Sequence, residues 1–398
     1  MKRIVLIMII QLFWLAGLSQ DLQIFQEQPI FENGSNGYAC FRIPAVIKVS
    51  NGVLLAFAEG RRSGCNDFGD VDIVLKRSED NGQSWSPLTV VADNGSLQSG
   101  NPAPVEDSLD PRFKDGRIFL VYNNGIASEH ETRLGNGLRN ILYITSTDYG
   151  KSWSSPIDIT LSVHKPNRPD INKDYNFQED WRSYANTPGH AIQLKKGIHK
   201  GRLFVPANHS EGEPQKGFND YRAHAFYSDD HGTSWQLSNN VDIPSSNESI
   251  TVELADGSIM QNIRQQNGEN RRRLVAKSKD GGITWSEIYF DSTLITPVCQ
   301  ASIIAHQLPT GQNVVLFSNP ESTKNRENLT VKMSFDQGQS WPVKRVVRTG
   351  ESAYSDLVIQ KNGFIGVLYE HGNNGGIHYA SFNIKWLTGG KNYANKDW

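Results

Sequence analysis

Residues 78–85 read SEDNGQSW, and the same frame returns four times further along the chain. It stands at 146–153 as STDYGKSW, at 228–235 as SDDHGTSW, at 278–285 as SKDGGITW and at 334–341 as SFDQGQSW. Ser, Asp, Gly, a hydroxyl residue and Trp hold fixed places in all five copies. Recurrence this strict is beyond chance at ordinary residue frequencies. Successive copies start 68, 82, 50 and 56 residues apart, a spacing that points to a repeat architecture. The intervals hold short runs such as 71–76, 117–122, 140–145, 202–206 and 223–227, rich in β-branched and aromatic residues and bounded by Gly, Asn, Asp or Pro. Such runs read as strands. No stretch after residue 20 keeps a helical period over three turns. Strand, frame, strand at this period predicts an all-β chain folded as a β-propeller. Within the frame, Asp can accept hydrogen bonds from turn amides. Gly permits positive φ, and Trp offers a large face to wedge between sheets. The frames are therefore read as structural. Five of them imply at least five blades, and the frame-free ends, 30–60 and 350–390, can supply one more, closed by both termini.

Outside the frames, composition is that of an ordinary globular chain. Of 398 residues 37% are hydrophobic and 21% charged, too apolar for a disordered protein. Lys and Arg number 40 against 42 Asp and Glu, a net charge of −2, so no basic field suggests nucleic acid. Lys2 and Arg3 precede an apolar run to Leu15, followed by small residues at 17 and 19. Residues 1–19 read as a secretory signal peptide, leaving 20–398 as one propeller domain. Nothing after residue 20 is apolar over a membrane's width. The expected location is outside the cytoplasm, periplasmic or secreted. Of three cysteines, an exported chain can pair Cys40 with Cys65; three buried thiols are the other reading, and the sequence leaves both open. The ten histidines show no HExxH-type spacing, and neither a metal nor a cofactor is expected.

Five clusters of residues then carry a resemblance. They are CFRIPAV at 40–46, LLAFAEGRRSGCNDFGDVDIV at 54–74, TVELADGSIMQNIRQQNGENRRRLVAKS at 251–278, FSNPESTKNRENLTVKM at 317–333 and ESAYSDLVIQKNGFIGVLYE at 351–370. In this order, and with the repeated frames, the chain resembles the sialidases (neuraminidases) of bacterial and animal type. The frames resemble their Asp boxes, and CFRIPAV resembles their FRIP motif. The resemblance implies a six-bladed propeller, and three arginines that clamp the substrate's carboxylate: Arg42, Arg273 and Arg326. Arg264 is held in reserve for Arg273. It implies Tyr354 as nucleophile, Glu253 as its base and Asp67 as acid/base, with Asp70 the competitor of Asp67. Glu59 and Arg61 resemble pocket residues, and Glu370 resembles a glutamate that supports the first arginine. Asp72, inside a strand-like run, reads as structural.

The residue types suit that chemistry. A planar guanidinium meets a carboxylate through two parallel hydrogen bonds. Sialic acid carries its carboxylate on the anomeric carbon, and a carboxylate nucleophile would be repelled there. A neutral phenol avoids the repulsion but, with a pKa of about 10, needs a base beside it. Tyrosine nucleophiles of sialidases are a known exception to the two-carboxylate scheme of glycosidases. The expected activity is exo-α-sialidase hydrolysis with retention, acting on sialylated glycans, glycoproteins or glycolipids. The alternatives are a trans-sialidase and a non-catalytic sialic-acid-binding propeller.

Overall fold

In the computed structural model, residues 22–372, 375–391 and 393 are described. The expected signal peptide, 1–19, lies outside them. Among the described residues no helix is long and apolar enough to cross a membrane.

The strands form antiparallel sheets of a shared pattern. One runs Ser246–Glu253, Ile259–Gln265, Arg272–Ser278, Glu287–Ile295, and the next Ser302–Gln307, Asn313–Pro320, Glu327–Ser334, Val343–Glu351. Another holds Trp181–Asn186, Leu203–Glu211, Tyr221–Ser228 and Gln236–Leu237, with Ile192–Gln193 added beside its second strand. An eight-stranded sheet runs from Cys40–Lys48 to Ile157–Asp158. Its first four strands meet its last four through a single parallel pair, Val71 with Gln98. The closing sheet takes Ser355–Ile359, Ile365–Glu370 and Ile377–Phe382 from one end of the chain and Phe25–Phe31 from the other. Both ends thus build one frame-free sheet, as expected. Its N-terminal contribution is 25–31, however, and most of 30–60 belongs to the following strands.

Each repeated frame is the turn from the third strand of a four-strand series to the fourth. In the first copy, Ser78 Oγ accepts from the Gly82 amide at 2.8 Å and donates to Asp80 Oδ1 at 2.8 Å. Asp80 also accepts from the Gln83 and Ser84 amides and from the Ser84 hydroxyl. The network around Asp148, Asp230, Asp280 and Asp336 is built in the same way. The glycine presses on the preceding strand series: Gly82 on Tyr379, Gly150 on Leu55, Gly232 on Phe119, Gly282 on Phe204 and Gly338 on Met260. These five contacts run from the closing sheet to the series 302–351. The apolar cluster of Leu316, Val331, Leu357 and Val367 joins that series back to the closing sheet, and the ring so closed is an all-β propeller. Apolar clusters fill each seam, among them Ala45, Ile47, Leu55 and Phe57 against Ile118, Leu120 and Ile144.

First strands of neighbouring series touch around the axis, Cys40–Lys48 against both Gln98–Asp107 and Ser355–Ile359. Asp356 ties them together. Buried, it accepts from the Val46 and His190 amides, the His190 ring and the Ser302 hydroxyl. Near the upstream ends of these strands the backbone turns left-handed, at Ile43, Asn101, Asp180, Ser245 and Val298, with φ between 50° and 64°. β-Bulges follow between Arg42 and Ala45, Gly100 and Ala103, and Ser246 and Ser249. Bulges re-aim side chains, and these gather them at one mouth of the ring.

Candidate active site

Tyr354 stands just before the strand Ser355–Ile359 and is 6% exposed. Its phenol donates to Glu248 Oε1 at 2.5 Å and accepts from Arg264 Nη1 at 2.8 Å. Arg264 is in turn bonded to Glu248 and to Gln266. The guanidinium carbons of Arg42 and Arg326 each lie 5.4 Å from the centre of the Tyr354 ring. One phenol, one carboxylate and three arginines therefore share one place. Burial, and then the Glu248 charge, push the phenol well above its ordinary pKa, so the tyrosine rests neutral. Beneath it lies a small apolar cluster of Ile43 and Cys299.

The arginines are held by separate anchors. Glu370 Oε1 accepts from Arg42 Nε at 3.0 Å and from the Ile43 amide, and Oε2 from Arg42 Nη2 and the Tyr354 amide. One buried carboxylate thus aims an arginine and fixes the backbone of the tyrosine. Burial alone would raise the Glu370 pKa, but Arg42 holds it below the ordinary range. Arg326 donates to the Val298 carbonyl at 3.1 Å. A cavity of about 700 Å³ opens here, lined by Arg42, Arg326, Glu370, Glu327 and both Cys40 and Cys65.

Asp67 lies across the mouth on the loop after Leu54–Arg61. Cys40 and Cys65 form a disulfide, which ties that loop to the strand carrying Arg42. Arg61, buried, takes Glu59 Oε2 through two nitrogens and reaches out to the Cys65 carbonyl and to Asp67 Oδ1 at 2.8 Å. Arg42 Nη1 is 3.5 Å from the same oxygen. Desolvation works to raise the Asp67 pKa; the Arg61 and Arg42 charges outweigh it and leave the carboxyl below its ordinary range. Glu59 and Arg61 thus support the Asp67 loop. Asp70 pairs with exposed Arg62. Asp72 is fully buried on Tyr38 and Arg62.

Two expectations need correction. Glu253 is not beside Tyr354. It ends the strand Ser246–Glu253 at the far side of the ring, where it accepts from the Lys195 and Lys196 amides. It stands five positions further along the strand than Glu248, about 17 Å at 3.3 Å per residue. Glu248 sits at the bulge near the strand's start, as Arg42 does in its own strand. That shared position is the signal the sequence reading missed. Arg273 is also misplaced. It is fully buried and spends its donors on Asn262 and the Cys299 carbonyl. Arg264, the reserve, is the arginine at Tyr354. Arg273, near the start of Arg272–Ser278, lies at the same end of the sheet as Arg264, near the end of Ile259–Gln265. Asn262 and the Cys299 carbonyl hold its guanidinium, however, whereas that of Arg264 reaches the Tyr354 phenol.

The family described as "BNR repeat-like domain" matches residues 52–367. A sialidase of Micromonospora viridifaciens is 34% identical over 92% of this chain and 55% of its own length. Sialidase-2 of Rattus norvegicus is 30% identical over 91% of this chain and 96% of its own. The chain spans only 55% and 61% of the Micromonospora relative and of a Bacteroides fragilis sialidase. Among solved structures, the Hadza microbial sialidase Hz136 is similar at a TM-score of 0.75 and 26% identity, over 89% of this chain and 68% of that one. The intramolecular trans-sialidase from Ruminococcus gnavus shares the fold at a TM-score of 0.73 and 19% identity, over 90% and 98%.

Proposed function

Given that this chain belongs to the sialidase family of BNR-repeat proteins, we propose that it is a retaining exo-α-sialidase that removes terminal sialic acids from glycoconjugates. The observation that carries this reading is the Tyr354 phenol bonded to Glu248 among three arginines. Arg42, Arg264 and Arg326 take the substrate carboxylate and orient the anomeric carbon over the phenol. Tyr354 attacks that carbon as Glu248 accepts the phenolic proton. Asp67 gives its proton to the departing glycosidic oxygen. Substrate carboxylate on Arg42 weakens that arginine's pull on Asp67, which favours the protonated acid. Asp67 then takes a proton from water, the water attacks the sugar, and the Tyr354–sugar bond breaks with the proton returned to the phenolate through Glu248. Two inversions give net retention.

The same reading counts the eight-stranded sheet as two blades, since only the Val71–Gln98 pair joins its halves and an apolar seam packs between them. With the four remaining sheets this makes six blades. We assign the chain to an exported, periplasmic or secreted location; the Cys40–Cys65 bridge suits an oxidising compartment.

Release of sialic acid from a fluorogenic α-sialoside tests the activity, with wild type beside Tyr354→Phe. Turnover by wild type and its loss in the variant are expected. Full turnover by Tyr354→Phe would remove the nucleophile from the scheme, and no turnover by wild type would remove the enzyme.

A further inference from the structure

Where the two ends of the chain meet, Glu27, His371 and His378 come together outside the site just described. Glu27 lies on Phe25–Phe31, His378 on Ile377–Phe382, and His371 just past Ile365–Glu370, so three adjacent strands of the closing sheet each contribute one side chain. Glu27 Oε1 is 3.0 Å from His378 Nδ1 and 3.7 Å from His371 Nε2. The three ligand atoms all fall within 4.8 Å of one another. Ligands about 2.05 Å from a tetrahedral metal stand roughly 3.3 Å apart, a value that the two measured separations bracket. Two imidazoles with one carboxylate is a donor set suited to zinc and its neighbours rather than to calcium or magnesium. Tyr369 donates to the same Glu27 oxygen at 2.5 Å, the sort of outer contact that orients a ligating carboxylate. Side-chain exposures of 17–26% leave the group within reach of an ion from solvent.

A second cluster shows the contrast. Asp107, Asp110 and His231 are as close together. There Asp110 is already paired with Arg112 and Arg117, and Asp107 accepts from Gln193. Among the described residues, the ion pairs of Glu27 are with the two histidines.

We propose that Glu27, His371 and His378 form a site for a divalent transition-metal ion of the Zn²⁺ type, which fastens the N-terminal strand to the C-terminal hairpin. The imidazole rings now stack at 3.9 Å between centres and 17° between planes. Both lone pairs reach one ion only when the rings splay apart, and a water completes the coordination. The ion joins strands whose residues are 351 apart in sequence. Binding to the folded ring alone raises its stability by mass action.

The test is made on the metal-stripped full chain with ZnCl₂ alone, by equilibrium dialysis with metal analysis and by thermal unfolding. One ion per chain and a raised Tm are expected. His378→Asn and His371→Asn should each weaken uptake by about tenfold or more and abolish the Tm rise, whereas His231→Asn should keep both. Co²⁺ in place of Zn²⁺ should give the intense visible absorption of a tetrahedral centre, absent in His371→Asn. The variants are checked for folding by circular dichroism, and His371, at the end of its hairpin, is the substitution that disturbs the sheet least. No stoichiometric uptake by folded wild type overturns the proposal, as does uptake unchanged in both folded histidine variants. Neither result depends on sialidase turnover.

Discussion

Ile43 and Val298 are β-branched, yet both hold a left-handed backbone, at φ 58° and 60°. Such a residue carries about 1–2 kcal/mol of strain. Both sit where that strain has a use. The Ile43 amide turns to Glu370, and the Val298 carbonyl turns to Arg326. Val298→Gly is therefore expected to raise stability in denaturant titration by about 1 kcal/mol. The looser backbone should at the same time lower kcat/KM severalfold. A loss of stability with unchanged kinetics would refute the idea that strain positions Arg326. Glu248→Gln should lower kcat by about 10²–10⁴, the usual worth of a positioned base. Glu253→Gln should stay close to wild type in the same assay. At this scale the residues the sequence singled out in local motifs, Tyr354, Arg42, Arg326 and the Glu59–Arg61–Asp67 group, are ones the structure brings to one mouth. Glu248 was missed because spacing along a strand does not tell which of its ends faces the mouth. Arg264 was ranked second because it and Arg273 lie at the same end of neighbouring strands, where only their hydrogen-bond partners distinguish them.

Elements were legible where a turn has its own chemistry. The Ser, Asp and Gly of the repeated frame satisfy one another within eight residues, so the frame is visible without any knowledge of the rest. Its Trp and Gly look outward to the preceding strands, which no local reading identifies. The closing sheet carries no frame because its fourth strand comes from the other end of the chain, and there is no turn for a frame to form. Phe25–Phe31 was accordingly the hardest strand to place. Gly232→Ala puts a methyl group 2.5 Å from a Phe119 ring carbon at a φ of 80°. Overpacking and a left-handed alanine together should cost about 2–4 kcal/mol. Chemical denaturation will read that loss, and an unchanged midpoint would mean the seam is softer than described.

Over the whole molecule, stability depends on pH through groups far from the chemistry. His164, His209 and His224 are fully buried around Trp181 and Tyr184, with Trp181 stacked on His209 at 3.5 Å. Burial lowers His164 and His224 from 6.5 to about 3, and lowers His209 as well. The unfolded chain takes up these protons below pH 6.5, while the folded chain refuses them. Stability is thus fully present above 6.5 and is lost as pH falls toward 3, by up to about 1.4 kcal/mol per pH unit for each histidine. Thermal unfolding from pH 7 to pH 4 should show that slope, and His224→Gln should flatten it. Sequence reading could not find this cluster, since its members come from three separated segments. The Cys40–Cys65 bridge has a consequence of another kind. It is one of the ties that keep Asp67 facing Arg42, beside Arg61 and the Gln98 side-chain amide that donates to the Asp67 carbonyl. In a thiol-rich production host the ring would still close and the Tyr354 phenol would still meet Glu248, but the Asp67 carboxyl would swing on a longer tether. Protein made that way should be folded yet sluggish, dithiothreitol should slow the oxidised enzyme, and glutathione disulfide should restore its rate.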